Sequence, residues 1–168
     1  VFSEFESEFR VFNQAANALV FEDELYKTNL ESDGEELFDL AYFDPPYNQH
    51  PYGSNYFMLN LVANYEKPSE EKISRVSGIP KDWKRSEYNC HKKVADVFLE
   101  LVENVRAKFV LISFNSEGFI SQKEMIDLLS KCGTVQVLES KYNTFRGSRN
   151  LRERDIHVKE FLFLVEKK

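Results

Sequence analysis

The sequence predicts an α/β domain with a doubly wound parallel sheet that ends in an antiparallel pair of strands. Two apolar segments, 37–43 and 109–114, lack an alternating polar face and so have the pattern of buried parallel strands. An amphipathic pattern over 91–106 lies between them and predicts the helix that connects parallel strands. Two strand patterns, 134–140 and 157–166, then follow with no long helix pattern between them, so they can pair antiparallel.

Local signals predict the other elements in order. Residues 10–13 predict a short strand, and 15–27 predict a helix with apolar residues on one face. The polar segment 28–36 predicts a loop. Residues 44–56 are so rich in Pro, Asn and Gly that they predict irregular structure. Helix is predicted again for 57–65.

The second half of the chain contains one long irregular segment and one strong helix signal. Residues 67–89 are the least regular part, and they are longer than most connections in a compact domain, so we expect a functional or mobile segment. Ser121 followed by Glu124 is the capping-box pattern, which predicts a helix start there. That helix is predicted to run to Lys131 and to stop at Gly133.

Composition limits the class of protein. The chain has 168 residues, of which 42% are hydrophobic and 30% charged, so it is about one domain with a packed core. No apolar segment approaches the roughly 18 residues of a membrane span, so we expect no membrane partner. The chain has only two cysteines, which argues against a disulfide scaffold and predicts a cytoplasmic protein.

The charge is unevenly distributed. The net charge is −6, but residues 1–40 hold eleven acids and two bases, whereas 41–168 hold seventeen acids and twenty bases. Bases are concentrated in 67–93, with eight against four acids, and in 141–154, with five against one. These two stretches could contact phosphates, which attract Lys and Arg without regard to sequence. The alternative is a solvated surface with ordinary ion pairs.

The strongest chemical signal is Asp44-Pro45-Pro46-Tyr47, which follows the first apolar strand directly. We call residues 44–47 the bracket. Two consecutive prolines fix φ and donate no hydrogen bonds, and a residue that precedes proline is forced into an extended conformation. The bracket therefore presents the Asp44 carboxylate and the Pro45 carbonyl as rigid acceptors beside the Tyr47 ring. It lies at the carboxyl end of a strand, where ligands bind in such sheets.

Two fixed acceptors beside an aromatic ring suit an aromatic amine. The lone pair of such an amine is delocalised into its ring, so the nitrogen is a poor nucleophile. Acceptors that hold both amine hydrogens help to localise that lone pair and stabilise charge that develops on nitrogen. Contacts of this kind can each contribute about 10²–10³ in rate. Tyr47 could stack on the base, which is worth roughly 1–3 kcal/mol.

The bracket and its flanks resemble a known family. The run DPPYNQHPYGSNYFMLN (44–60) resembles motif IV of the Dam-like adenine-specific DNA methyltransferases of restriction–modification systems. The segments FVLISFNSEGFIS (109–121) and VKEFLFLVEKK (158–168) are similar to the next core strand and the closing strand of that family. The resemblance implies a Rossmann-like methyltransferase sheet, with S-adenosylmethionine as cofactor and double-stranded DNA as partner. It also implies that the target base is flipped out of the duplex, and that the protein acts in a bacterial cytoplasm.

The resemblance also implies roles for individual residues. Asp44, Pro45 and Pro46 would hold the target amine, and Tyr47 would stack on the base. Two aromatic residues, Tyr142 and Phe145, would form another wall of the base pocket. The remaining predictions are cofactor contacts at Asp44, Asn13 and Tyr56, and contacts with the DNA backbone at Lys81, Lys84, Arg85, Arg146 and Arg149. Segment 67–90 would then be a mobile or DNA-contacting insertion.

One expected feature is missing from this sequence. The family cradles its cofactor with a glycine-rich loop, but no two of the six glycines lie within a few residues of each other. Alanines also stand near Asn13 where the family often has an acid. Because residue 1 is Val, we expect residues 1–168 to be the C-terminal part of a single catalytic domain, with the first two strands missing. The edge of strand 37–43 would then be covered by another chain or by the missing N-terminal segment.

Two alternatives to adenine methylation stay open. The chain could be a catalytically incompetent fragment that acts as a DNA-binding or structural piece, and alone it is expected to be inactive. The enzyme could also methylate the N-4 amine of cytosine, which poses the same chemical problem. No metal site is expected, because Cys90-His91 has no second Cys/His pair at ligand spacing.

Overall fold

The computed structural model describes residues 9–21, 38–66, 68–81, 86–143 and 157–168. The strands in these residues form one sheet in the order β1-β2-β4-β3. They are β1 (Phe38–Phe43), β2 (Ala107–Asn115), β3 (Gly133–Asn143) and β4 (His157–Lys167). Strands β1 and β2 are parallel, and β4 is antiparallel to both β2 and β3. The α/β class and the antiparallel C-terminal pair are therefore confirmed.

All the described helices except Tyr52–Asn55 lie within segments predicted to be helical. Those in the described residues are α1 (Ala16–Phe21), α2 (Tyr52–Asn55), α3 (Phe57–Asn64), α4 (Val94–Asn104) and α5 (Gln122–Leu129). Helix α5 starts at the predicted capping box: Glu124 N donates to Ser121 Oγ (3.3 Å), and Ser121 N donates to Glu124 Oε2 (2.9 Å). Four backbone and side-chain groups at this helix end thereby satisfy one another.

One face of the sheet forms the core. Alternate residues of β2, including Val110 and Ile112, are fully buried. Their paired neighbours on β4, Val165 and Phe163, are fully buried too. Helix α4 packs in the same core through Phe98, which is 1% exposed. Helix α4 thus connects the parallel strands β1 and β2 and buries its apolar side against this face.

The opposite face of the sheet is apolar too, but in the described part of the chain it stays in contact with solvent. On β1, Leu40 is 51% exposed and Tyr42 57% exposed, and on β3 Leu138 is 68% exposed. The intervening residues of β2 and β4 on this face, such as Leu111 and Leu164, are only half-buried. We call this surface the open face. Strand β1 was predicted to be buried, and that prediction is wrong for Leu40 and Tyr42, because this face is not covered by described residues.

Two secondary-structure predictions were wrong. Residues 10–13 form no strand: they are exposed and pair with none of the described strands, and a strand needs a neighbour for its hydrogen bonds. Residues 44–56 were predicted to be irregular throughout, yet α2 lies within them. Pro51 is buried in an extended conformation, and its carbonyl accepts hydrogen bonds from Ser54 N, Ser54 Oγ and Asn55 N, which starts the helical turn.

The long irregular segment has local structure. It contains two 3₁₀ turns, Glu70–Lys72 and Glu87–Asn89, and a β-bridge between Ile73 and Pro80. Its last residues, 86–90, pack beside α4 through Tyr88, which is 8% exposed. Its prediction as a mobile or DNA-contacting insertion stays a prediction. Predicted elements at 22–27 and 28–36 lie outside the described residues.

Candidate functional site

The bracket leaves the sheet at the carboxyl end of β1, one residue after the last paired position, Phe43. Asp44 is exposed, while Pro45, Pro46 and Tyr47 are half-buried. The proline positions have no N–H to donate, so the loop is held through its acceptors instead. The Tyr47 carbonyl accepts from Phe119 N at 2.8 Å.

Tyr47 is fixed through both its ring and its hydroxyl. The ring packs edge-to-face on Phe114, with centroids 5.9 Å apart and planes at 70°. The hydroxyl hydrogen-bonds to the side chain of Asn115, a residue that is 6% exposed. Burial raises the pKa of Tyr47, the charge of Glu160 raises it further, and the Asn115 hydrogen bond lowers it. Tyr47 therefore presents a neutral ring in one orientation.

A first cavity of about 570 Å³ lies on one side of the bracket. Its walls come from the bracket, the start of α1, segment 86–90 and α4. Its lining residues include Gln14, Ala15, Asp44, Pro45, Pro46, Ser86 and Tyr88.

A hydrogen-bond network holds the back wall of this first cavity. The Tyr88 hydroxyl donates to Asn17 Oδ1 at 2.6 Å. Asn17 Nδ2 in turn donates to the Val97 carbonyl (2.9 Å) and to Glu100 Oε2 (3.0 Å). Burial raises the pKa of Tyr88, so its hydroxyl remains a donor. The network fixes α1 against α4 beside the bracket.

A second cavity of about 630 Å³ adjoins the bracket at Pro46 and Tyr47. Its lining residues are Pro46, Tyr47, Asn48, His50, Tyr52, Asn55 and Tyr56. The rings of Tyr52 and Tyr56 pack together with centroids 5.6 Å apart. Burial raises the pKa of Tyr52, with a further contribution from the charge of Asp44. The wall of this cavity is therefore largely aromatic, with amide groups among the rings.

Pro46 lines both cavities, so the two adjoin at the bracket. Each cavity falls within the roughly 300–1,000 Å³ typical of small-molecule sites. The exposed Asp44 carboxylate lines the first cavity close to this junction. Such an arrangement can hold two ligands next to each other at the bracket.

The structure brings together the bracket residues but separates some other predicted site residues. Asn13 is exposed, next to Gln14, which lines the first cavity. Tyr56 was predicted to contact the cofactor, but it lines the second cavity with Tyr47. Lys81 is exposed beside a separate cavity that Glu70 also lines.

Several predictions fall where the structure is not described. The backbone of Tyr142 pairs with Val158 in the β3–β4 ladder, but its side chain lies outside the described part. The residues that lie wholly outside it are Lys84, Arg85, Phe145, Arg146 and Arg149.

Sequence reasoning missed residues that support the bracket. Tyr88 and Asn89 immediately precede the amphipathic helix pattern, a position that places them at the carboxyl edge of the sheet. Asn115 ends the second apolar strand at the same edge. Polar residues at such strand and helix ends could have been singled out by topology alone.

Two further searches of the described residues gave negative results. No group of three or more His, Cys, Asp or Glu side chains in them could hold a metal ion. None of the described helices has both the length and the apolar character needed to cross a bilayer.

Comparison with known proteins identifies relatives of one kind. The type II methyltransferase M.CviAII of Paramecium bursaria Chlorella virus 1 is 35% identical over 127 residues, which are 76% of this chain and 37% of that protein. The modification methylase StsI of Streptococcus sanguinis is 27% identical over 159 residues, which are 89% of this chain and 23% of that protein. The type II methyltransferase M.NlaIII of Neisseria lactamica is 27% identical over 131 residues, which are 77% of this chain and 38% of that protein.

The chain thus spans less than two fifths of the length of these curated relatives. No solved structure matches it significantly. The family profile "D12 class N6 adenine-specific DNA methyltransferase" matches residues 3–128, which include α1, the bracket, both cavity walls and most of α5. The chain therefore belongs to the D12 class of N6 adenine-specific DNA methyltransferases.

Proposed function

We propose that this chain forms the substrate-holding part of an enzyme that methylates the N-6 amine of adenine in a specific sequence of double-stranded DNA. The observation that carries the proposal is the pair of cavities that adjoin at Pro46, with the Asp44 carboxylate in the lining of the first. Family membership supports adenine as the base.

The second cavity suits a nucleobase swung out of the duplex. Its wall of Tyr47, Tyr52 and Tyr56 offers aromatic faces for stacking, worth roughly 1–3 kcal/mol for each stacked base. The edge of the base that carries the exocyclic amine would reach past Pro46, where the Asp44 carboxylate and the Pro45 carbonyl of the first cavity would accept the amine hydrogens. Because these oxygens are fixed before the base arrives, they stabilise charge developing on nitrogen without reorganising. Tyr142 and Phe145 remain proposed as a further wall.

The first cavity suits S-adenosylmethionine. Its volume is sufficient, the Asp44 carboxylate is chemically matched to the ammonium group of the methionine part, and Gln14 offers an amide. When bound, this cofactor supplies an electrophilic methyl group. Asn13 is proposed as a further contact at the α1 side. For Tyr56 the geometry favours a contact with the base over the cofactor contact implied by the resemblance.

We propose that a further polypeptide layer covers both the outer edge of β1, which is the end strand of the described sheet, and the open face, and that it carries the glycine-rich cofactor loop that this sequence lacks. Half-exposed apolar residues such as Leu40 and Tyr42 support this, because parallel sheets are normally covered on both faces. The relatives also have more than half of their length outside the matched part. Without that layer, the 168-residue chain is expected to be a catalytically incompetent DNA-binding piece.

The same proposal covers the residues that would contact DNA and the cellular compartment in which the enzyme would work. The basic residues proposed to contact the phosphate backbone are Lys81, Lys84, Arg85, Arg146 and Arg149. An enzyme that modifies chromosomal DNA would act in the cytoplasm of a bacterium.

A labelling experiment tests the proposed reaction. The full-length protein is incubated with duplex DNA and methyl-labelled S-adenosylmethionine, and the DNA is digested to nucleosides. Label in N6-methyl-2′-deoxyadenosine supports the proposal. Label in N4-methyl-2′-deoxycytidine would support the alternative base, which the bracket could hold in the same way, and no label in any nucleoside would contradict the proposal.

A substitution on the open face tests the proposed covering layer. Leu40→Lys should change the melting temperature of the 168-residue chain by under about 2 °C, because Leu40 is half exposed there. In the full-length protein Leu40→Lys should lower the melting temperature by clearly more than it does in the 168-residue chain, since a charge would be buried without a partner. Val76→Lys, at a residue 99% exposed, is the matched control and should be neutral in both. Equal small effects of Leu40→Lys in both proteins would rule the layer out.

A further inference from the structure

We propose that Asn89 is a positioning residue for the bracket. Its side-chain amide fixes the carbonyl of Asn48 and thereby the direction in which the Asp44 carboxylate and the Pro45 carbonyl point. The catalytic half of this inference rests on the proposed function, because only a bracket that holds a substrate amine needs fixed oxygens.

The two prolines of the bracket limit how the loop can be held in place. Pro45 and Pro46 have no N–H, so neither can tie the loop to its surroundings by donating a hydrogen bond. The chain is instead held at the two carbonyls that follow them. Tyr47 O accepts from the backbone N–H of Phe119 at 2.8 Å, and Asn48 O accepts from Asn89 Nδ2 at 2.8 Å. One of these two bonds comes from a side chain 41 residues away, so substitution can remove it without changing the backbone.

Hydrogen bonds and packing around Asn89 hold it in a fixed position, so its side chain can in turn fix the Asn48 carbonyl. It ends the 3₁₀ turn Glu87–Asn89, and its backbone N–H donates to the Ser86 carbonyl at 3.0 Å. The preceding residue, Tyr88, is 8% exposed, packs edge-to-face on Phe98, and donates its hydroxyl to Asn17. The Asn89 side-chain amide is therefore held against the core. Through its hydrogen bond to Asn48 O, it connects the C-terminal end of the bracket to α4.

An amide is the group that this position requires. The Asn48 carbonyl needs a donor, and an uncharged donor adds no charge near the Asp44 carboxylate. Asn89→Asp keeps the shape but places a carboxylate against a carbonyl oxygen, which repels it. Asn89→Ala leaves the Asn48 carbonyl to water. In either variant the loop loses one of the two long-range hydrogen bonds to its backbone carbonyls, and the bond from Phe119 N to Tyr47 O is the one that remains.

The first test measures the anchor itself and needs no enzymatic activity. Hydrogen exchange at the Phe119 amide reports whether the Tyr47 carbonyl still occupies its place, since that amide donates to it. Both Asn89→Asp and Asn89→Ala should speed this exchange by at least about tenfold. Asn104→Ala is the matched control, because Asn104 Nδ2 also donates to a carbonyl at 2.8 Å, that of Glu100, far from the bracket. An unchanged Phe119 exchange rate in both Asn89 variants would overturn the proposal.

The second test measures the consequence for the reaction in the full-length protein. Misplacing reacting groups by about 1 Å can cost of order 10²-fold in rate, so kcat should fall about 10- to 100-fold in the Asn89 variants. The KM for S-adenosylmethionine should change less than about threefold, and the melting temperature should match that of Asn104→Ala within a few degrees. Faster Phe119 exchange with an unchanged kcat would overturn the positioning role. If the unsubstituted protein methylates no base, the proposed function fails, whereas anchoring by Asn89 is still decided by the exchange experiment.

Discussion

Replacing Tyr47 by Phe removes only the hydroxyl that hydrogen-bonds to the Asn115 side chain. Asn115 is 6% exposed and its Oδ1 accepts from Glu117 N at 3.0 Å, so the substitution removes the Tyr47 hydroxyl from a buried amide. A buried polar group that loses its partner costs about 1–3 kcal/mol. The second cavity adjoins Tyr47 and can admit water, which places the cost near the lower end, about 1 kcal/mol.

Thermal unfolding measures this cost. For a chain of this size, 1 kcal/mol corresponds to about 2–4 °C in melting temperature, so Tyr47→Phe should melt about 2–4 °C lower. In an Asn115→Ala background the same substitution should cost almost nothing, because its partner is already gone. Methyl transfer well below the melting temperature should stay within a few-fold, since the ring and its stacking face remain.

Tyr47→Ala is the contrasting variant. It also loses the edge-to-face contact with Phe114, so the free energy of unfolding should fall by about 2–3 kcal/mol. The rate of methyl transfer should fall as well, because the ring that would stack on the base is gone. The reasoning about the Tyr47 hydroxyl would be refuted if Tyr47→Phe cost the same with and without Asn115. It would also be refuted if Tyr47→Phe abolished transfer while the fold remained intact.

Two further predictions concern stability. Hydrogen bonds from the Ser121 side chain and backbone lower the pKa of Glu124 from its ordinary 4.5. The charged Glu124 should therefore stabilise the folded state above pH 4.5. This stabilisation should be lost as the pH falls through the lowered pKa. Melting curves of Glu124→Gln and the unsubstituted chain should therefore differ at pH 6 and converge near pH 2; a constant difference would contradict this. Gly118→Ala would place a Cβ 2.2 Å from Phe114 Cε1, so the ring under Tyr47 must shift, at about 1–3 kcal/mol, and the melting temperature should fall by several degrees. An unchanged melting temperature would show that the ring moves freely.

The sequence was sufficient to predict features that depend on neighbouring residues. The capping box at Ser121 and Glu124 forms as predicted because both partners lie within one helical turn. The bracket is stiff because its two prolines are adjacent. The helix pattern over 91–106 predicted α4 because its period of 3.6 residues is read directly from the apolar positions.

Contacts between distant residues could not be predicted in the same way. Asn89 reaches Asn48 across 41 residues, and Asn115 reaches Tyr47 only because the carboxyl ends of β1 and β2 meet. The exposure of Leu40 was missed for a related reason. An apolar strand pattern indicates that both faces favour burial, but it does not indicate whether a covering layer is present in the chain.

The most direct test of the account measures methyl transfer by the full-length protein with Asp44→Ala. The Asp44 carboxylate, which lines the first cavity close to its junction with the second, is proposed to hold the substrate amine. Asp44→Ala should therefore retain less than a few per cent of N6-adenine methylation while its melting temperature stays within a few degrees. Asp39→Ala, at an exposed acid on the same strand, should retain full activity. Substantial methylation by Asp44→Ala, or an equal loss in Asp39→Ala, would contradict the account.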